Sequence, residues 1–299
     1  MTPVTAAAFA RRTWVMRFAL AVTALSLLPL ACGGSTPPPA TSAPTPTSAA
    51  PAVPAASTTP AAAAAVAPAA TDVPPALRAI VAAPDRDDKD RALDAGRHPA
   101  ELLAFAGILP GMHVAELGAG GGYTTELLAR AVGPTGVVYA ENNKFILERF
   151  AEKPWSSRLT KPVMKNVVRV DREFDDPLPP EAKGLDAVFD VLFYHDTVWM
   201  GTDRAKMNQA VFAALKPGGA YVIVDHSGKD GSGLNDVKTT HRIDERAVKD
   251  EVTKAGFRLA GEADFLRNPG DTRDWNDAPG AAAERRGTSD RFVLKFVRP

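Results

Sequence analysis

The chain has 299 residues, enough for one large domain or two small ones. Its 35 basic and 35 acidic side chains cancel, so no global field steers it toward nucleic acid, and no Lys/Arg cluster interleaved with aromatics supplies a local one. A single cysteine, Cys32, excludes both an internal disulfide framework and a cysteine-built zinc site.

Composition is uneven along the chain. Residues 1–71 contain Arg11, Arg12 and Arg17 and no acidic residue. An apolar run over 18–31 follows those arginines, with Ala31 directly before Cys32. A basic start, a short apolar stretch and a small residue make a secretory signal peptide, and the run is short for a spanning helix. Leu30-Ala31-Cys32-Gly33 resembles a bacterial lipobox, in which the cysteine is lipidated and becomes the first mature residue. It departs from that pattern at Pro29, where an apolar residue is usual. Arg11-Arg12 also fits a twin-arginine export signal, and Met16-Arg17-Phe18 fits the start of a shorter signal. Both alternatives stay open.

Residues 33–75 are almost entirely Pro, Ala, Ser, Thr and Val. Such a stretch has too little apolar bulk to offset ordering entropy, and its prolines favour an extended spacer. The expected organisation is a signal peptide over 1–31, a disordered linker over 32–75 and a folded domain over 76–299. The expected location is the cell envelope, with the membrane reached through a lipid anchor at Cys32. An unprocessed signal leaves a cytoplasmic protein instead.

From Val73 the pattern becomes that of a folded domain. Leu77, Ile80 and Val81 have helical spacing. The charge run Asp85–Arg91 reads as a solvated helix face with local ion pairs. Pro99 suits the first turn of a helix through Ala106. A strand over Met112–Leu117 leads to a helix over Tyr123–Val132. A turn at Gly133–Gly136, a strand at Val137–Ala140 and a helix over Lys144–Glu152 follow. Strands are expected at Val167–Val170 and Leu185–Phe193, the latter apolar enough for the middle of a parallel sheet. A helix over Asp203–Leu215 ends at Lys216-Pro-Gly-Gly219, before a strand at Ala220–Val224. A helix over Asp244–Ala255 and strands at Arg258–Phe265 and Arg291–Val297 complete the chain. Strands alternating with helices mean a doubly wound α/β sheet.

The glycine-rich stretch Glu116-Leu-Gly-Ala-Gly-Gly-Gly122 falls at the first strand-to-helix junction. Gly118 and Gly120 let the backbone turn and approach a ligand, and Gly122 lets the helix begin close to the sheet. The helix start presents free N–H groups. A glycine loop alone fits a dinucleotide site as well. Glu116 disfavours an anionic pyrophosphate and suits a ligand carrying an amino group. Glu141, at the end of the second strand, is placed to accept ribose hydroxyls.

Together with Lys216-Pro-Gly-Gly219 before strand five, this set resembles the class I S-adenosylmethionine (SAM) dependent methyltransferases over residues 100–299. The resemblance implies a seven-stranded Rossmann-like sheet in the order 3-2-1-4-5-7-6 with strand 7 antiparallel, and SAM as methyl donor. It implies a cofactor site made of Glu116, Gly118, Ala119, Gly120, Gly122, Tyr123, Glu141, Asn142 and Asp171. Asp171 stands where the family often contacts adenine, although a turn acid is the alternative. Tyr123 either touches ligand or packs under the loop. More narrowly, Phe193–Asp196, Val224–His226, His241–Asp244, Leu266–Pro269 and Ser289–Leu294 are similar to uncharacterised bacterial methyltransferases that often carry export signals.

Residues past the carboxyl ends of strands line the ligand crevice in such sheets. His195-Asp196 follows strand four and Asp225-His226 follows strand five. His195 or His226 is therefore the expected general base, with Asp196 or Asp225 orienting it. A second reading is a metal site from these four residues and His241, but no two of them share a helix-face spacing. The catalytic set is taken as His195, Asp196, Asp225 and His226, without a metal. Phe193-Tyr-His-Asp196 departs from the Asp/Asn-Pro-Pro-Tyr motif of enzymes that methylate planar nitrogens, against a DNA substrate. Asn268–Ser289 is polar and rich in Gly and Pro, a lid or a plain insertion. The expected activity is methyl transfer to a small-molecule acceptor. The alternative is an exported, non-catalytic Rossmann module, and an NAD-type oxidoreductase is a third reading.

Overall fold

A computed structural model describes residues 73–299. The expected signal peptide, Cys32 and nearly all of the linker lie outside the described residues. The described residues belong to one compact unit.

Three helices open the domain: α1 (Pro75–Val81), α2 (Asp88–Arg97) and α3 (Pro99–Ala106). Then β1 (His113–Leu117), α4 (Tyr123–Val132) and β2 (Val137–Asn142) form the first βαβ unit. α5 (Lys144–Ile146) and α6 (Glu152–Leu159) lead to β3 (Val167–Asp171) and β4 (Leu185–Val191). α7 (Tyr194–Trp199) and α8 (Arg204–Ala214) precede β5 (Leu215–His226). α9 (Val237–Thr240), α10 (Glu245–Lys254), β6 (Arg258–Ala263) and β7 (Arg291–Val297) end it.

The seven strands make one sheet in the order β3-β2-β1-β4-β5-β7-β6, with β7 antiparallel to both neighbours, as expected. Central strands read as continuous apolar runs because both faces are covered. Val114, Ala115 and Leu117 of β1, Val188 and Phe189 of β4, and Val222 and Ile223 of β5 are fully buried. Parallel strands place their carboxyl ends on one rim, so the segments after β1, β2, β4 and β5 meet there.

Four expectations are corrected. The helix over Lys144–Glu152 is broken by a π turn at Leu147–Ala151. Pro154 follows within α6; it has no N–H and crowds the carbonyl four residues back, and the wider turn accommodates it. Strand four stops at Val191, because Leu192 turns the chain with φ 59°. Lys216-Pro-Gly-Gly219 lies within β5 as an irregularity rather than before it: Leu215 opposes Leu185 and Ala220 opposes Ala187, so residues between them bulge out. The charge run is not a solvated face. Arg86 is buried and holds Asp94 at 2.7 and 2.8 Å, and buried Asp90 holds Arg158 at 2.6 and 3.0 Å. Those partners lie on other turns and elements, which a local reading cannot supply.

Candidate functional site

The loop after β1 is set by steric necessity. Gly118, Gly120 and Gly122 have φ 60°, 54° and 81°. A Cβ on Gly118 would stand 2.3 Å from the Phe193 ring, and one on Gly122 would stand 2.5 Å from Trp155. Gly122 therefore serves packing against α6 rather than against the sheet. The end of β2 staples the loop. Gly118 N–H donates to Glu141 Oε2 at 3.2 Å, and Ala119 N–H donates to the Glu141 carbonyl at 2.8 Å. Asn142 closes a two-way pair with Gly120, accepting from its N–H at 2.7 Å and donating to its carbonyl at 3.2 Å. Glu141 Oε1 is buried with no hydrogen-bond partner. Burial, and then the nearby acids Glu173, Asp190 and Asp171, push the Glu141 carboxyl well above the usual range. A buried orphan oxygen is a costly feature that a ligand hydroxyl would satisfy.

The loop borders a cavity of about 360 Å³, lined among others by Glu116, Ala119, Gly120, Tyr123 and Arg97. Glu116 is buried and accepts from the Thr125 hydroxyl. Burial raises its pKa to about 7, against the opposing pull of Thr125, Thr124, Arg97 and Arg158. Tyr123 O–H donates to Asp94 Oδ1 at 2.6 Å, and the Arg97 guanidinium lies 4.5 Å from the Tyr123 ring centre. Arg97 makes no direct ion pair or hydrogen bond among the described residues, and burial lowers its pKa. The cavity thus carries a carboxyl and an unpaired guanidinium.

The ends of β4 and β5 build a second cluster. Asp225 is fully buried and accepts from His195 N–H at 2.8 Å, His195 Nδ1 at 2.6 Å and His226 N–H at 2.8 Å. Burial opposes its charge, but the His195 imidazole and these bonds hold its pKa below the usual range. On the other side of the ring, His195 Nε2 lies 2.9 Å from His241 Nε2 and 3.3 Å from Asp196 Oδ1. Burial lowers the His195 pKa, yet Asp225 and then Asp196 carry it up to about 9; burial and the neighbouring His195 push His241 down to about 4. The opposite directions favour charge on His195 over His241. His226 turns the other way, with Nδ1 2.5 Å from Asp277 Oδ2 and 2.8 Å from Ser289 Oγ. Burial keeps His226 below its ordinary value despite Asp277.

A larger cavity of about 1000 Å³ opens beside this cluster. Asp196, His226, His241 and Asp277 form its polar end, and Ile146, Phe150, Trp199 and Leu93 give it apolar wall. It shares Leu93, Arg97, Ile146, Phe150, Leu192 and Asp196 with the loop cavity. The two chambers therefore meet at the strained turn of Leu192.

The expected residues sort clearly. Glu116, Gly118, Ala119, Gly120 and Tyr123 line the loop cavity. Glu141, Asn142 and Gly122 shape the loop from behind. Asp171 lies opposite Asn142 across the β2–β3 pair, outside the loop cavity, paired with Arg169 at 2.8 and 3.0 Å and bordering an outer groove with Lys144 and Glu173. Tyr123 packs on Arg97 and also lines the cavity. His195, Asp196 and Asp225 come together: Asp225 holds the His195 ring rather than that of the adjacent His226, and Asp196 lies 3.3 Å from His195 Nε2. Arg97 and Asp277 were not singled out from sequence. Arg97 sits well upstream of the motif, and Asp277 lies in a polar loop whose path the sequence does not specify.

No protein-family model matches the chain. Its structure is similar to that of a SAM-dependent methyltransferase from Aquifex aeolicus, at 18% identity and a TM-score of 0.50, over 72% of this chain and 100% of that one. It is also similar to a candidate sarcosine dimethylglycine methyltransferase from Galdieria sulphuraria, at 16% identity and a TM-score of 0.50, over 71% of this chain and 88% of that one. At these identities the likeness establishes the fold.

Proposed function

We propose that the chain is a SAM-dependent methyltransferase acting on a small-molecule acceptor. The observation that carries this reading is the pair of joined cavities, one bordered by the glycine loop and one by the histidine cluster. Glu116 and Arg97 suit the two ends of a zwitterion: the carboxylate takes the amino group of SAM and the guanidinium takes its carboxylate. Glu141 Oε1 takes a ribose hydroxyl. Phe193 lies against Gly118 and Phe174, with ring centres of the two phenylalanines 4.6 Å apart, and borders the loop cavity. The sulfonium then faces the junction at Leu192 and Asp196.

Methyl transfer is an in-line displacement. The acceptor's lone pair forms the new bond to carbon, and the S–CH₃ electron pair stays on sulfur. The protein contributes mainly position and exclusion of water. Apolar wall at Ile146, Phe150 and Trp199 holds the acceptor body, and the Asp196, His226 and His241 end faces its nucleophilic atom.

Calorimetry of the full chain with SAM, its demethylated product and NAD tests the reading. Binding of SAM and product, and none of NAD, is expected. Glu141→Ala should weaken SAM binding by tenfold or more, on the order of 1–3 kcal/mol for a lost buried partner. Unchanged affinity in that variant would remove the ribose assignment, and NAD binding in place of SAM would remove the function.

A further inference from the structure

We propose that His195, Asp196 and His241 hold a divalent transition-metal ion of the zinc class, with its remaining coordination position turned into the larger cavity. The inference rests on the reading of that cavity as the acceptor chamber, and it names what binds the acceptor there.

Three donor atoms converge: His195 Nε2, His241 Nε2 and Asp196 Oδ1, separated by 2.9, 3.3 and 3.8 Å. Donors bound tetrahedrally at zinc distances stand roughly 3.3 Å apart, and the observed separations bracket that edge. Two imidazole nitrogens aimed at each other need a cation between them, and a metal ion can take the place of a shared proton there. Behind the cluster, Asp225 takes the Nδ1–H of His195 at 2.6 Å. That bond fixes the tautomer and leaves Nε2 as the lone-pair donor, the arrangement of a carboxylate–histidine–metal relay. Trp199 Nε1 donates to Asp196 Oδ1 at 2.6 Å and holds that carboxylate in place. His241 is brought in by an αL turn with φ 58° at the end of α9, a conformation that costs energy and here aims the ring at His195. Asp196 and His241 both border the cavity.

Three protein ligands with one position facing a chamber is the layout of a catalytic rather than a structural site. Two neutral imidazoles and one carboxylate leave a net positive centre. Such a centre selects acceptors with a hydroxyl or thiol, whose oxygen or sulfur binds the ion and releases its proton to solvent. The methyl group then passes from the sulfonium to that oxygen or sulfur. An acceptor offering only an uncharged amine or carbon nucleophile gains nothing from the site.

The test uses untagged full chain, stripped with a chelator and titrated with Zn²⁺ alone. One equivalent bound is expected, with affinity lowered at least about 100-fold in His241→Ala and in Asp196→Asn, and about 10–100-fold in Asp225→Asn. Asp250→Asn, on the surface of α10, should bind as the parent does. The cobalt-substituted parent should show the intense visible bands of a four- or five-coordinate nitrogen-ligated ion, which needs no variant to fold. Failure to take up zinc, affinity unchanged in the folded His241→Ala/Asp196→Asn double variant, or a six-coordinate cobalt spectrum overturns the proposal and leaves a proton-sharing histidine pair. SAM calorimetry on the metal-free protein separates this result from the donor assignment. SAM binding without zinc binding sinks the metal alone, and zinc binding without SAM binding sinks the methyltransferase reading.

Discussion

Glu116 shows how a single buried acid links the glycine loop to pH. Its pKa is pushed up to about 7 by burial, with Thr124, Thr125, Arg97 and Arg158 around it. The cationic amino group of SAM prefers the ionised form. Below about pH 7 binding must displace a proton, so affinity should fall by up to tenfold per pH unit and level off above that value. Calorimetry between about pH 5.5 and 8 checks this, and Glu116→Gln should bind more weakly with a flat profile. A sloping profile in that variant would place the titration elsewhere. Stability runs the opposite way: the folded carboxyl holds its proton to a higher pH than the unfolded one, so its contribution is lost as pH rises from about 4.5 through about 7. Sequence showed Glu116 and Glu141 at once, because both sit at fixed offsets from glycines and strand ends. It did not show Arg97, whose place beside Tyr123 depends on where α2 docks.

Among the elements, α6 and α2 matter to the loop through one side chain. Arg158 reaches from the Gly121 carbonyl at 2.5 Å to Asp90 at 2.6 Å and Glu126 at 2.5 Å. Glu126 is also held by Arg130 and Lys161, and its side chain is 1% exposed. Removing one partner from such a buried network leaves charge uncompensated. Arg158→Ala should therefore lower unfolding free energy by about 3 kcal/mol and weaken SAM binding by loosening Gly121. Urea unfolding measures the first and calorimetry the second. A loss below about 1 kcal/mol would reduce the network to surface pairs. The boundaries of α4 and β7 were legible to the residue because a glycine turn and an apolar run mark them. The π turn before Pro154 and the bulge at Lys216–Gly219 were not, since each adjusts a regular element to a neighbour.

At the scale of the molecule, sheet order places the chemistry. β1, β4 and β5 are adjacent and parallel, so the segments after them converge although they are far apart in sequence. Asn268–Ser289 adds to this rim, because Asp277 and Ser289 reach His226 and Asp271 holds buried Arg242 at 2.7 Å. That stretch is a wall of the large cavity through Asp277, Ala278 and Gly280 rather than a plain insertion. We propose, in addition, that the whole chain is exported and anchored through Cys32. Mass spectrometry of the mature protein should then find Cys32 as a lipidated first residue. An N-terminus at Met1 or Met16 would overturn the lipid anchor at Cys32.

Sequence alone determined the glycine loop, the acids at strand ends and the strand–helix rhythm, because each is a local pattern whose cause lies within a few residues. That rhythm implied a doubly wound sheet; the order of its seven strands was implied by the resemblance to class I SAM-dependent methyltransferases. Tertiary structure decided which aspartate serves which histidine, that Arg97 faces Glu116's cavity, and that His241 closes on His195. Those pairings are made by chain segments meeting across the sheet rim, and no local spacing encodes a distance between elements that only packing brings together.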